Sequence, residues 1–492
     1  MKAIDYSQLL GLLAPEVIVV VTALAILALD LLVLRRTAMK ARFLSAAVLA
    51  STGCAGSIYW IATLSKPTSL LDGMLVTTPL THLVQMVLLV LAILTFWVAV
   101  DSTFTRHVGE YSLVVLFATS GMMLLTSTQN ILLIFISLEL LSLSLYTLTA
   151  FKKDSAQSAE AGLKYFLFGG ISTAFLLFGL SLLYGLSGST NLSRIALAFQ
   201  KPLLDPLALV AMVMTAAGLG FKIAAVPFHL WAPDAYQGAP ASSAAFIASS
   251  SKVASFFILA QVLLIGFAAG GNLGWASHRP GWLPVIEGMA AASMVLGNLT
   301  AIVQSSVRRL IAYSAVGHAG YMLLGILANT RQGVSALVFY VVTYALTTLG
   351  AFAVVSVMEE RCGGDRLADF AGLSRRAPLL SMCMMVFLLS LAGVPPLVGF
   401  FAKFYLFASA LSGDDGTHSL LWLVILAIAM SAVSLYYYLQ VLKRIFVAAA
   451  RENAGAIRVP VVTQVVVCLL AVAVLALGCA PHLLLNYIQA AM

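Results

Sequence analysis

Residues 224–233 read AAVPFHLWAP, and residues 391–400 read LAGVPPLVGF. Each lies in the middle of an apolar run of about 34 residues, 205–238 and 378–411. A straight helix of that length measures about 50 Å, against a hydrocarbon core of about 30 Å. Proline removes a backbone donor and clashes with the preceding turn. Both runs are therefore predicted to be helices broken in the middle, one at Pro227 and one at Pro395–Pro396. Broken helices persist at membrane depth only where protein or water satisfies the freed backbone groups. A matched pair of them in two halves of a chain points to an inverted repeat with a transport site at the breaks.

The composition around these runs agrees. Of 492 residues, 61% are hydrophobic and 9% charged, whereas a soluble domain carries about 25% charged residues. The 27 basic and 19 acidic side chains cannot cover a water-exposed surface of this size. The chain is a polytopic, all-α membrane protein, and most soluble enzyme folds are excluded. Apolar windows bounded by charges or turn residues predict fourteen spans: 9–34, 41–64, 78–100, 111–127, 129–150, 160–184, 205–238, 241–267, 284–304, 309–328, 333–358, 378–411, 419–442 and 460–480. The first run has no small-residue cleavage site at its end, so it is read as a retained helix and not a signal peptide.

Loop charges orient the chain. With the N-terminus outside, 17 basic residues fall on inner loops and 6 on outer ones (Lys2, Lys66, Arg194, Lys201, Arg279 and Arg331). That bias places both termini on the outer side. It also explains the net charge of +8. No Lys/Arg cluster is interleaved with aromatics on a polar face, so nucleic acid is not a predicted partner. The five cysteines, Cys54, Cys362, Cys383, Cys468 and Cys479, have no ligand spacing, and no disulfide framework, zinc site or iron–sulfur cluster is predicted from them.

The two broken spans are helices 7 and 12, five apart. A five-helix unit crosses the membrane an odd number of times, so a following unit enters from the opposite face. Helices 4–8 and 9–13 are thus read as two inverted five-helix repeats. The predicted organisation is an N-terminal three-helix segment (1–110), a first repeat (111–267), a second repeat (284–450) and a C-terminal helix (451–492).

Charges inside spans carry the functional signal, because each costs roughly 2.5–3.5 kcal/mol at the bilayer centre. Glu139 lies about 15 Å into helix 5, and Lys252 about 18 Å into helix 8. Lys222 precedes the first break, Lys403 follows the second, and Lys164 is nearer the inner end of helix 6. A static Lys164–Glu139 pair is one reading, and Lys164 can also snorkel to the inner surface. One acid cannot neutralise four lysines, however. Desolvation favours the neutral amine and a nearby carboxylate the charged one, so Lys222, Lys252 and Lys403 read as stations of a proton relay. His229, after the first break, and His318, in mid-helix 10, are candidate shuttles with hydrogen-bonded structural roles as the alternative. His82 is a weaker candidate, and Glu16 and Asp30 are read as facing headgroups or partner subunits. No phosphate loop, dinucleotide fingerprint, nucleophile elbow or metal motif is present, since GLGFKIAA lacks the third glycine and a preceding strand. The residues alone define a multi-helix proton or cation transporter.

The segments GLKYFLFGGISTAFLLFGLSLLYGLSGST (162–190), GFKIAAVPFHLWAPDAYQGAP (220–240), RRLIAYSAVGHAGYMLLG (308–325) and LAGVPPLVGFFAKFYLFASAL (391–411) resemble the antiporter-like subunits of bacterial respiratory complex I, NADH:quinone oxidoreductase. The likeness runs over nearly the whole chain. Lysine at position 403, the opening LLAPEVIVVVTALAILALDLL (12–32) and the lack of a long lateral C-terminal helix resemble subunit N. The resemblance implies that Glu139, Lys164, Lys222, Lys252 and Lys403 match the family's relay positions. It implies a proton channel in a membrane arm, driven by quinone reduction elsewhere. NADH, FMN, iron–sulfur clusters and quinone would be held by other membrane-arm and peripheral-arm subunits, and this chain would hold no cofactor and do no redox chemistry. The setting implied is the bacterial inner membrane. Subunits of sodium/proton antiporters and of energy-converting hydrogenases share the same pattern and are the alternative.

Overall fold

The computed structural model describes residues 6–64, 67–200, 205–268, 281–412, 420–450 and 455–492. Its helices are α1 Tyr6–Leu32, α2 Met39–Thr63, α3 Pro79–Ala99, α4 Val108–Thr126, α5 Ile131–Thr149, α6 Ala156–Ser187, α7 Leu192–Ala198, α8 Pro206–Lys222, α9 Trp231–Gly238, α10 Ala241–Gln261, α11 Leu283–Ile302, α12 Val307–Leu327, α13 Arg331–Cys362, α14 Leu373–Arg376, α15 Pro378–Ala392, α16 Val398–Ser412, α17 Leu421–Phe446, α18 Val461–Cys479 and α19 His482–Ala491. Among the described residues, 12 helices are long and apolar enough to cross a membrane. The two split spans, α8 with α9 and α15 with α16, complete the fourteen crossings. Of the loop charges used for orientation, Lys2, Lys66, Lys201, Arg279 and Arg451 lie outside the described residues.

Helix ends follow local chemistry. Thr78, Asn130, Ser155, Asp205, Ser306 and Thr330 each accept a backbone N–H of the helix they start, which satisfies donors that helix geometry leaves free. The two longest helices, α6 and α13, stop at Gly188 and Gly363 with φ of 68° and 75°, a backbone that glycine adopts without penalty.

The packing repeats. α4 lies on α5 as α11 lies on α12, and α6 holds α8 and α9 as α13 holds α15 and α16. Likewise, α10 touches α4, α5, α8 and α9, while α17 touches α11, α12, α15 and α16. The units meet where α10 lies along α13 and α9 against α12. These junction helices form the centre: the apolar windows of α12 and α13 are 94% buried, against 33% for α6 and α17 at the rim.

Small residues permit the close pair α11–α12. A Cβ on Gly297 would come within 2.4 Å of the Gly317 backbone nitrogen, so the two backbones touch where only hydrogen fits. Gly297→Leu is expected to force them apart and to deplete the chain from membranes, as measured by immunoblot. Gly288→Leu, with nothing within 4 Å of its would-be Cβ, leaves the level unchanged.

Both breaks have the same backbone pattern. Ala224 (φ 58°) precedes the cis bond to Pro227 by three residues, and Gly393 (φ 85°) precedes the cis bond to Pro396 by three. The freed groups find partners inside the protein. In the first break, Val226 N–H donates to Ser293 Oγ of α11 at 2.8 Å, and Trp231 Nε1–H donates to the Phe221 carbonyl at 2.9 Å. In the second, Gly399 N–H donates to Ser390 Oγ at 3.2 Å.

Several features depart from the hydropathy reading. The hairpin β1 (Thr68–Leu70) with β2 (Leu75–Thr77), the short helices α7 and α14, and the terminal α19 were not expected. Glu16 and Asp30 do not face headgroups. Glu16 is buried and accepts Gln85 Nε2–H at 2.9 Å. Asp30 is buried and accepts Arg42 Nε–H at 2.7 Å and Gly109 N–H at 2.9 Å. A carboxylate finds these partners only once α1, α2, α3 and α4 are packed, and hydropathy does not report that.

Candidate functional site

Lys222, Lys252 and Lys403 are all buried. None has a carboxylate within ion-pair distance among the described residues. Each Nζ is held instead by neutral oxygens and aromatic faces, which partly offset the cost of burying a cation and supply no counter-charge.

Lys222 is the last residue of α8, where the helix breaks. Its Nζ donates to Ser142 Oγ of α5 and lies 5.8 Å from the Tyr146 ring centre. Glu139 is three residues before Ser142 on the same helix, so it sits one turn away from the site. Its carboxylate accepts Thr173 Oγ1–H of α6 at 2.8 Å.

Lys252 is midway along α10. Its Nζ donates to the Ala315 carbonyl of α12 at 2.6 Å and lies 5.5 Å from the Tyr344 ring of α13. Lys403 reaches across the second break from α16. Its Nζ donates to the Ala392 carbonyl at the end of α15 at 3.0 Å and to Ser431 Oγ of α17 at 2.8 Å, and it lies 5.2 Å from the Tyr321 ring.

His318 lies between the last two lysines. Its Nδ1 pairs with Tyr340 OH at 2.8 Å and its Nε2 with Tyr438 OH at 3.2 Å. Its ring centre is 5.0 Å from that of Tyr344 and 5.7 Å from that of Tyr321, the two rings beneath Lys252 and Lys403. A small cavity lined by His318, Tyr340, Tyr344, Ser390 and Lys403 joins these groups. The second repeat thus encloses a box of phenols around one imidazole, with a lysine on either side.

Two expected members are placed differently. Lys164 does not pair with Glu139. Its Nζ meets Glu160 at 2.7 Å and Asp234 at 3.1 Å, because Glu160 lies one turn earlier on α6 and α9 packs on the same face. Asp234 also binds Arg309 of α12 at 2.7 Å and so ties the two repeats together. His229 is half-buried in the first break, and its ring makes no hydrogen bond to Lys222 or Lys252. His82 is buried in α3 with an unpartnered Nε2.

Sequence reasoning missed Asp234, Ser142, Tyr340, Tyr344, Tyr438 and Ser431. A signal existed for Asp234: it lies seven residues after Pro227, as Lys403 lies seven after Pro396. Aligning the breaks puts a charge in the same place in both repeats.

Two five-helix units of matching contacts, each with a broken helix and a buried lysine beside the break, define an antiporter-like membrane subunit. The family described as NADH:quinone oxidoreductase/Mrp antiporter, TM, matches residues 128–433. NADH-quinone oxidoreductase subunit N 2 of Acidobacterium capsulatum is 53% identical over 99% of this chain and 100% of its own length. A chain of respiratory complex I from Thermus thermophilus with bound aureothin superposes with a TM-score of 0.80 at 33% identity, covering 97% of this chain and 100% of that one. A chain of the Mrp complex from Dietzia shares the fold, with a TM-score of 0.82 at 22% identity over 97% of this chain and 96% of that one.

The chain belongs to the NADH-quinone oxidoreductase subunit N family. It is a multi-pass membrane subunit of a multi-subunit complex.

Proposed function

We propose that the chain moves protons from the cytoplasm to the outer side through Lys222, Lys252 and Lys403, driven by quinone reduction elsewhere in an NADH:quinone oxidoreductase. The observation that carries this reading is the set of three buried ammonium groups without carboxylate partners, two of them beside helix breaks. A buried ion pair would hold a fixed charge, whereas a lysine held by hydroxyls, carbonyls and ring faces can gain and lose its proton.

In the proposed sequence, Glu139 biases Lys222 through the Ser142 turn, and Lys164 with Asp234 tunes the inner side. The proton passes to Lys252, then by His318 and its phenols to Lys403, and leaves outward. His229, half-buried in the first break, is the other candidate shuttle. NADH, FMN, iron–sulfur clusters and quinone belong to partner subunits in this reading. The domains are 1–110, 111–267, 284–450 and 451–492, in a bacterial inner membrane with both termini outside.

Lys222→Met tests the proposal. In everted membrane vesicles, with assembly verified on a native gel stained for NADH oxidation, the variant is expected to lower proton uptake per NADH oxidised. Full uptake by an assembled variant refutes the role of Lys222. If the chain migrates in a band without NADH oxidation, its complex is not an NADH oxidoreductase and sodium-dependent transport becomes the assay.

A further inference from the structure

A polar cavity of about 360 Å³ opens where the repeats meet, lined in part by Gln237, Ala239, Arg308, Ser356, Glu359 and Glu360. In the proposed orientation this is the inner face. From it a ridge of α13 leads inward at four-residue spacing: Glu360, Ser356, Phe352, Thr348 and Tyr344, neighbours one turn apart. Tyr344 ends the ridge with its ring 5.5 Å from Lys252 Nζ. Ser356 to Tyr344 spans about 18 Å.

Inward of Ser356, three hydroxyls along this path share one property. Thr348 Oγ1 and Tyr344 OH are buried side by side, facing each other, and neither makes a well-formed hydrogen bond in the protein among the described residues. At the level of Phe352 the hydroxyl comes from α9. Tyr236 packs its ring 5.8 Å from that of Phe352, and its OH is likewise buried and unpartnered. Buried hydroxyls in native proteins find partners, and where protein supplies none, water does. Three in succession between a polar cavity and a buried lysine mark a hydrated path. Lys222 is not on it, since its ammonium points to Ser142 and Tyr146 on α5.

We propose that this ridge is a second inlet, carrying protons from the cavity at Glu360 past Tyr236, Thr348 and Tyr344 to Lys252 without passing Lys222. The inlet rests on the relay reading above. Thr348 is a positioning residue in it, holding water between Tyr236 and Tyr344.

The test has two parts on the assembled complex. Thr348→Cys and Ala345→Cys are treated with a methanethiosulfonate ammonium reagent from either membrane face, and the labelled residues are located by peptide mass spectrometry. Cysteine at 348 is expected to react from the cytoplasmic face at least an order of magnitude faster than at 345, which is buried off the ridge. A residue 348 unreactive from that face overturns the inlet. In the second part, Thr348→Val is expected to lower NADH-driven proton uptake, Thr348→Ser to restore it, and Thr348→Val with Lys222→Met to fall below either alone. If Lys222→Met is defective while Thr348→Val pumps normally, the inlet is wrong and the relay reading stands. If both pump normally, the relay reading itself is wrong.

Discussion

Lys252→Met is expected to stop proton transfer through this chain, and Lys252→Arg to do the same. The pair separates a relay from a structural charge. Lys252 donates to the Ala315 carbonyl at 2.6 Å and faces the Tyr344 ring at 5.5 Å. Both contacts suit a guanidinium, which also stacks on aromatic faces. A position that needed only a fixed cation would therefore tolerate arginine better than methionine. A relay station must also become neutral, and arginine does not deprotonate in proteins. Removing a positioned proton-transfer group typically lowers the rate about a hundredfold or more. The measurement is proton uptake per NADH oxidised in everted vesicles whose complex is assembled. Pumping by Lys252→Arg alongside failure of Lys252→Met would assign Lys252 a structural charge.

The same residues mark what the sequence discloses and what it conceals. A charged side chain in an apolar run is conspicuous because insertion penalises it, so Lys222, Lys252, Lys403 and Glu139 stand out without any structure. Proline in mid-span is conspicuous for the same kind of reason, and both breaks fall at the prolines. The partners of those charges are not conspicuous. Ser142, Ser431 and the phenols at 340, 344 and 438 are ordinary helix residues, and only the packing of α5, α13 and α17 brings them to the lysines and the imidazole. Lys164 is the clearest case. The reading offered it Glu139, the one acid counted as intramembrane, yet its ion pairs go to Glu160 and Asp234, one a turn away and the other on a half-helix beyond the break. Asp234 lies inside the predicted span 205–238 but near its end, and only counting from the prolines matches it to Lys403 of the second repeat.

Arg308→Met is expected to destabilise the chain strongly. Arg308 is a loop charge in the orientation count, yet its side chain is 3% exposed. Nη1–H donates to the Gln237 carbonyl at 2.9 Å and to Glu359 at 3.2 Å, and Nη2–H donates to the Ala239 carbonyl at 2.5 Å. The two carbonyls end α9, in the first repeat, and the guanidinium belongs to α12, in the second. One planar fork therefore satisfies the orphan acceptors of a helix end and joins the repeats beside the broken helix. Methionine fills a similar volume but leaves a partly buried carboxylate and two carbonyls without donors. Leaving buried acceptors without donors costs about 1–3 kcal/mol each, a large fraction of the roughly 5–15 kcal/mol that holds a folded domain together. Lysine keeps the charge but lacks the fork that reaches both carbonyls at once, so Arg308→Lys is expected to fall between the two. The check is the temperature at which the assembled complex loses this chain on a native gel. The ordering wild type, Lys, Met supports the fork, and an Arg308→Met complex as heat-resistant as wild type refutes it.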